Sequence, residues 1–294
     1  MSVHTFFPPA EALQGAVPVL ELRAAAREAW EADTPHAKVS AARALGDAHR
    51  DGCLRVDAGR RFEGALRPGR PTRPRLVHPR TVPPRGSGSE LGRAALLHAI
   101  AHIEFNAIDL ALDAIWRFEG LPLDYYLDWT RVVAEEALHF SLLQTELAQR
   151  GHAYGDFDAH DGLWELAIKT HAQPLARMAL VPRLMEARGL DVTPQIRNRL
   201  QAAGDTPAVA ILDRILADEI QHVAIGNRWY RFLCEAQGLD PLTAWDDLAA
   251  SHEVGPPRPP FNRDARLLAG FTEVELARWE GVPQRQQGSV LQAD

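Results

Sequence analysis

Two stretches decide the reading of this chain, VVAEEALHFSLL at residues 132–143 and ILDRILADEIQHVAIG at residues 211–226. Each contains one Glu-x-x-His, Glu136 with His139 in the first and Glu219 with His222 in the second. Both stretches are dominated by good helix formers. Positions i and i+3 share a helix face, so each copy aims a carboxylate and an imidazole at one point. Two lone glutamates alternate with them: Glu104 in LLHAIAHIEFNAIDLALDAIW (96–116) and Glu186 in MALVPRLMEARGLDVTP (178–194). The order along the chain is therefore Glu, Glu-x-x-His, Glu, Glu-x-x-His.

The spacing supports one shared centre. Glu104 and Glu136 are 32 residues apart and Glu186 and Glu219 are 33 apart. Glu119-Gly120-Leu121-Pro122 breaks the first interval near its midpoint. Antiparallel helices joined there bring residues 104 and 136 to one height, each about 20 Å from the turn at about 1.5 Å per residue. In the second interval Gly189 and Asp191-Val192-Thr193-Pro194 predict a break just after Glu186, with Thr193 capping a new short helix, Pro194–Ala203.

One Glu-x-x-His on a helix is common, because both residues sit well on a solvated face. Placement separates these copies from that background, since apolar residues flank all four segments. Four carboxylates turned inward would be costly to bury without compensation. Two divalent cations supply it, and this ligand order is the one with which a four-helix bundle holds a di-iron or di-manganese carboxylate centre. The expected ligands are Glu104, Glu136, His139, Glu186, Glu219 and His222, holding two iron ions, with manganese or a mixed pair as the alternative.

The rest of the chain is compatible with an all-α protein. It has 294 residues, 46% of them hydrophobic, and no alternating strand pattern. No secretory leader is legible at MSVHTFFPPA, and no apolar run approaches the roughly 20 residues needed to cross a membrane. Cys53 and Cys234 lie far apart and read as free thiols in a reducing cytoplasm. A net charge of −7 argues against a general binder of DNA or RNA.

That charge is uneven. Residues 60–85 hold eight arginines and six prolines against the single acid Glu63. The prolines exclude regular helix and favour extended backbone. The arm is expected to wrap the bundle with its arginines paired to acidic helix faces; a basic strip for RNA is the alternative, though Phe62 is its only aromatic residue. Ahead of it, residues 9–31 and 35–50 read as helices, the second started by Asp33-Thr34-Pro35. The bundle helices are expected at 89–118, 124–150, 162–188 and 206–237, the third kinked at Pro174 and Pro182. A tail follows, with the linker SHEVGPPRPPFN (251–262) and short helices at 264–270 and 272–281. The organisation is residues 1–88 (N-terminal helices and arm), 89–238 (di-metal bundle) and 239–294 (tail).

These residues resemble the ferritin-like di-iron carboxylate superfamily. The arm RPGRPTRPRLVHPRTVP, the segments AIAHIEFNAIDLALDAIWRF, EEALHFSLL, GDFDAHDGLWELA, ARMALVPRLMEARGLDVTP and DEIQHVAIGNRWYRFLC, and the tail PFNRDARLLAGF are similar to a bacterial ferritin-like family of unknown function, over residues 10 to 280. The resemblance implies the fold and the same six ligands. A looser similarity links the chain to the tRNA hydroxylase branch. Leu143 stands where the radical-generating subunit of ribonucleotide reductase keeps a tyrosine, which argues against a stored radical of that type. Asp218 preceding Glu219 resembles the Asp-Glu-x-x-His of bacterial hydrocarbon monooxygenases and is expected to hold the free nitrogen of a ligand histidine.

Other polar residues read as structural. His98 and His102 point away from Glu104 and are expected to share a stripe with Asp109 that meets the N-terminal segment. Glu135 turns off the ligand face and reads as either a surface group or one that supports a ligand from behind. Tyr125, Tyr126, Trp129, Trp229 and Tyr230 read as core anchors, and His171 lies too far from Glu186 to reach the metals. Gly226, with Ala101, Ala107 and Ala111, leaves room for either a pocket or close helix packing.

The expected function is a redox enzyme in which the metal pair activates dioxygen to oxidise or hydroxylate an organic substrate, drawing electrons from a donor. The alternatives are a ferroxidase or peroxide scavenger without an organic substrate, a tRNA-hydroxylase-like enzyme, and a structural metal site.

Overall fold

The computed structural model describes residues 19–83 and 85–281. The chain is mostly helical. Two short strands, β1 (Leu20–Glu21) and β2 (Leu54–Arg55), pair in parallel at the N-terminal edge. Between them lie α1 (Leu22–Glu31) and α2 (Pro35–Arg50). The Glu21 carboxylate caps α1 by accepting from the Arg23 and Ala24 amides, and Thr34 Oγ1 caps α2 ahead of Pro35. The part of the first predicted helix that falls on residues 9–18 lies outside the described residues.

Helices α3 (Glu90–Arg117) and α4 (Leu123–Gln149) form an antiparallel hairpin over the Glu119–Pro122 turn. Then come α5 (Gly162–Lys169), α6 (Pro174–Leu180), a π turn (Val181–Glu186), α7 (Ala187–Ala202) and α8 (Thr206–Ala236). Helices α4 and α8 pack together, α8 lies against α6, the π turn and α7, α1 covers α3, and α2 covers α4. The tail carries α9 (Pro241–Ser251), α10 (Arg263–Leu268) and α11 (Glu273–Gly281).

Helix α3 is apolar almost all round, the mark of a helix with neighbours on most sides. Contrary to the sequence reading, it is long and apolar enough to cross a membrane, yet 78% of its most apolar 18-residue window is buried within the protein. Its inward polar groups have partners. Asp109 is paired with the fully buried Lys38 of α2, and Asp113 accepts from Arg117 and Arg177.

The arm's arginines find acidic partners, but in the turns and loops between helices and not on the helix faces expected. Arg61 pairs with Glu119, Arg67 and Arg70 with Asp161, and Arg75 with Asp158. Arg23 fastens the arm from beneath, its guanidinium donating to the carbonyls of Asp57, Ala58 and Arg60 and to those of Ile115 and Trp116. Gly69 passes so close to α1 that a Cβ would stand 2.0 Å from the Glu31 carbonyl oxygen.

Four segments differ from the sequence reading. Among the described residues the expected 9–31 helix begins only at Leu22, because Leu20 and Glu21 pair with Leu54 and Arg55 as a strand. The expected 162–188 helix is interrupted at 170–173, because Pro174 starts α6 instead of kinking a continuous helix. The expected break after Glu186 is absent: α7 runs through Gly189 and Pro194. Pro194 offers no N–H to the carbonyl four residues back, and Asn262 Nδ2 satisfies that Leu190 oxygen at 3.1 Å. Asp191, read as a turn residue, instead accepts from Arg266 and from the Asn262 amide. Helix α9, capped by Asp240, was not anticipated.

Gly226 of α8 is a packing residue rather than a pocket wall. A Cβ there would lie 2.4 Å from Pro182 Cβ in the π turn, and a proline ring cannot rotate aside. We expect Gly226→Ala to cost about 1–3 kcal/mol through overpacking, read as a lowered urea midpoint. A variant as stable as the parent would mean that the π turn yields freely.

Candidate metal centre

Glu104 stands 13 residues before the end of α3 and Glu136 stands 13 residues after the start of α4, so the hairpin sets both at one height. Helix α8 brings Glu219 and His222 alongside, and Glu186 ends the π turn. One oxygen or nitrogen from each of Glu104, Glu136, His139 and Glu219 falls within a group whose atoms all lie within 4.8 Å of one another. His139 Nδ1 is 3.1 Å from Glu104 Oε2 and 3.4 Å from Glu136 Oε2. His222 Nδ1 is 2.9 Å from Glu136 Oε1 and 3.5 Å from Glu219 Oε1. Glu136 thus presents one oxygen to each histidine. The imidazole rings are 5.7 Å apart.

Glu186 lies outside that four-residue group, though the charges of Glu219, Glu136, His222 and Glu104 all act on it. The residue is half-buried, but its Oε2 is out of solvent contact and has no hydrogen-bond partner. Burial first, then the charges of Glu219 and Glu136, push its carboxyl well above the ordinary range. Glu104 contacts His139 at 3.1 Å, whereas the charges acting most on Glu186 are those of Glu219, Glu136 and then His222.

Both histidines are held from behind. His139 Nε2 is 2.9 Å from Asp218 Oδ2, and His222 Nε2 is 2.8 Å from Glu135 Oε2. Each Glu-x-x-His helix holds the histidine of the other. Arg214 and Arg131, one turn back, tie down Asp218 and Glu135 in turn. With Nε2–H donated outward, Nδ1 is the nitrogen free to face a metal. Glu135, which turns off its own motif's face, supports a histidine from behind and is not merely a surface group; its place ahead of Glu136 matches that of Asp218 ahead of Glu219.

Burial and mutual charge shift the proton affinities of the group in both directions. Burial lowers the affinity of His139 for a proton, but hydrogen bonds to Asp218 and Glu104 and the adjacent charge of Glu136 outweigh it and push the imidazole up to about 12. His222 is raised well above its ordinary value in the same way, with Glu136 the main opposing charge. Burial, reinforced by Glu136, raises Glu104 to about 8. Burial would raise Glu136 too, but His222 and His139 hold it below the usual carboxylate range. Oε2 of Glu136, Glu186 and Glu219 and Nδ1 of His222 remain buried without hydrogen bonds. Four buried atoms without hydrogen bonds, three of them carboxylate oxygens, together with the Glu104, Glu136, His139 and Glu219 group, fit the chemistry of a bound metal ion.

The remaining candidates have structural partners. Asp109 meets α2 as expected, but His98 and His102 face the 151–161 loop instead of the N-terminal segment. His102 Nδ1 is 2.9 Å from Tyr154 Oη, and His98 Nε2 accepts from the Gly155 amide at 2.8 Å. Burial keeps both imidazoles neutral, at about 3 and about 4. Tyr125, Tyr126, Trp129, Trp229 and Tyr230 are core residues. A surface cleft of about 500 Å³ is bordered by Arg61, Phe62, Arg117 and His171, and one of about 280 Å³ by Arg85, Ala95 and Phe157; neither is lined by a residue of the Glu/His group.

The family described as "Protein of unknown function (DUF455)" matches residues 31–277, and the chain belongs to it. An "Uncharacterized protein" of Haemophilus influenzae is 49% identical over 213 residues, which covers 70% of this chain and 74% of that protein. No solved structure matches.

Proposed function

We propose that this chain is a ferritin-like di-metal carboxylate oxidoreductase that activates dioxygen to oxidise or hydroxylate an organic substrate. The observation that carries the reading is Glu136, whose two oxygens face the two histidine Nδ1 atoms while Nε2 of each ring is tied outward. In this reading α3, α4, the π turn with α7, and α8 are the four helices of a ferritin-like bundle. Glu104, His139 and Glu136 would hold one ion, and Glu136, His222, Glu186 and Glu219 the other. Two iron or manganese ions would supply one-electron redox steps and open coordination positions for dioxygen. The chain's own part is to fix the ring tautomers through Asp218 and Glu135, to balance the cation charge with four glutamates, and to shield the centre beneath α3 and α4.

The first test is metal analysis of protein produced with iron and with manganese, combined with anomalous scattering at both absorption edges. We expect two ions per chain between the Glu136–His139 and Glu219–His222 faces, and oxygen uptake by the ferrous form. A single ion, or ions elsewhere, would defeat the reading.

Uptake must also depend on pH. Ligation at Nδ1 displaces a proton from each imidazole and from Glu104, so affinity rises with pH. The metal-free fold moves the other way. Groups whose folded pKa is raised contribute stability that is full below their unfolded values and lost as pH rises toward the folded ones. For Glu104 that window runs from 4.5 to about 8, and for His139 from 6.5 to about 12. The increase in Tm caused by cobalt(II) should therefore be larger at pH 8 than at pH 6; an increment independent of pH would count against ligation by these groups.

A further inference from the structure

The helix bearing Glu186 has an irregular backbone exactly where a ligand must be placed. A π turn offers fewer good internal hydrogen bonds than an α-helix, and α7 continues from it through Pro194, which removes another. Local sequence does not stabilise this path. Its missing interactions come from the tail, about 70 to 90 residues further along the chain.

Arg183 lies in the π turn three residues before Glu186 and is fully buried. Its guanidinium pairs with Glu275 of α11, donates to Asn227 Oδ1 of α8 at 2.6 Å, and lies 4.1 Å above the Tyr230 ring. On the other side of Glu186, Arg266 of α10 reaches Asp191 at 2.7 and 3.0 Å and the Ala187 carbonyl at 3.4 Å. Ala187 is the residue that follows Glu186. Asn262 supplies the Leu190 carbonyl orphaned by Pro194. Asn227 closes the circuit by donating to the Ala269 carbonyl at 2.7 Å. The tail thus grips the ligand segment three residues before Glu186, and one, four and five residues after it.

We propose that α10 and α11 form a clamp that sets the position of Glu186, with Arg183, Asp191, Arg266 and Glu275 as positioning residues for one half of the metal centre. The proposal rests on the metal-centre reading above. Its distinctive consequence is asymmetry. Among the described residues the tail makes no hydrogen bond or ion pair with Glu104 or His139, so loosening the clamp affects the half that contains Glu186 and His222 and leaves the other half intact.

The test is a cobalt(II) titration of the full chain and of Glu275→Gln and Arg266→Lys, with hydrogen exchange at amides 183–190. Arg266→Lys keeps the charge but loses the two-pronged grip on Asp191, and it carries the test if Glu275→Gln does not fold. Arg278→Gln is the control, because it breaks the exposed Arg278–Asp246 pair in the same tail. We expect one of the two cobalt binding steps to weaken by roughly ten- to a hundredfold, with a changed visible spectrum and faster exchange at 183–190. The other step should stay within about twofold, and the control should bind as the parent does. Faster exchange with both steps unaltered would overturn the clamp as a positioning device, as would an equal loss in both steps. A parent chain that takes up no cobalt would overturn the metal-centre reading itself, and this inference with it.

Discussion

Glu136→Ala is expected to weaken both metal-binding steps by at least about a hundredfold, the equivalent of about 2.7 kcal/mol each. The expectation follows from its two oxygens, which face His139 Nδ1 and His222 Nδ1 separately. Glu104→Ala and Glu186→Ala should each weaken one step, because the proposed assignment gives each carboxylate to one half. The metal-free proteins should differ as well. Glu104 is held up to about 8 by burial and the Glu136 charge, so its removal relieves the apo fold. Glu136 is the carboxylate that offsets the two charged imidazoles, so its removal leaves them short of a counter-ion and costs stability. Cobalt(II) titration and urea unfolding of the three variants test this. A Glu136→Ala protein that binds two ions as tightly as the parent would defeat the bridging assignment.

Lys38→Met should destabilise the chain by about 3–5 kcal/mol, the cost of breaking one side of a buried ion pair. Lys38 and Asp109 are both fully buried, and Asp109 Oδ2 already lacks a partner. The ammonium also donates to the carbonyls of Trp30 and Gly69, so it joins α1, α2, α3 and the arm at one point. Burial raises the Asp109 carboxyl to about 6 even with Lys38 opposing it. Without Lys38 the carboxyl would rise further and take up a proton. The deficit should therefore be smaller at pH 5 than at pH 8, since a raised carboxyl is tolerated best where it is protonated. Adding Asp109→Leu should recover part of the loss but not all, because the two carbonyls stay unsatisfied. A single variant within about 1 kcal/mol of the parent in urea at pH 8 would contradict the argument.

Much of the architecture was legible in the amino-acid sequence because it depends on local signals. The helices at 35–50, 89–118, 124–150 and 206–237 lie within one residue of α2, α3, α4 and α8 at each end. Thr34-Pro35 and the Glu119–Pro122 break mark some of those ends in the chain itself, and in the structure Ser89 and Asp205 cap α3 and α8. The i, i+3 spacing put Glu136 with His139 and Glu219 with His222 on common faces, and the position of the turn set Glu104 level with Glu136. The arm's prolines ruled out helix there, and its arginines called for carboxylates nearby.

Other features were decided only by tertiary structure, for a common reason: the groups that satisfy the backbone, or receive the side chain, are distant in sequence. Pro194 reads as the start of a new helix until Asn262 takes the Leu190 carbonyl. Asp191 reads as a turn residue until Arg266 and Asn262 claim it. Glu135 turns away from its own motif and so reads as either a surface group or a support for a ligand, and only the packing of α4 on α8 brings it to His222. Gly226 could have lined a pocket or a contact, and the approach of Pro182 decided for the contact. The sequence by itself determined which residues could face inward at one height, since helical period and turn position are local quantities. Which carboxylate meets both histidines, which ring nitrogens are tied outward and what surrounds the Glu186 segment depended on contacts between helices, which periodicity does not encode.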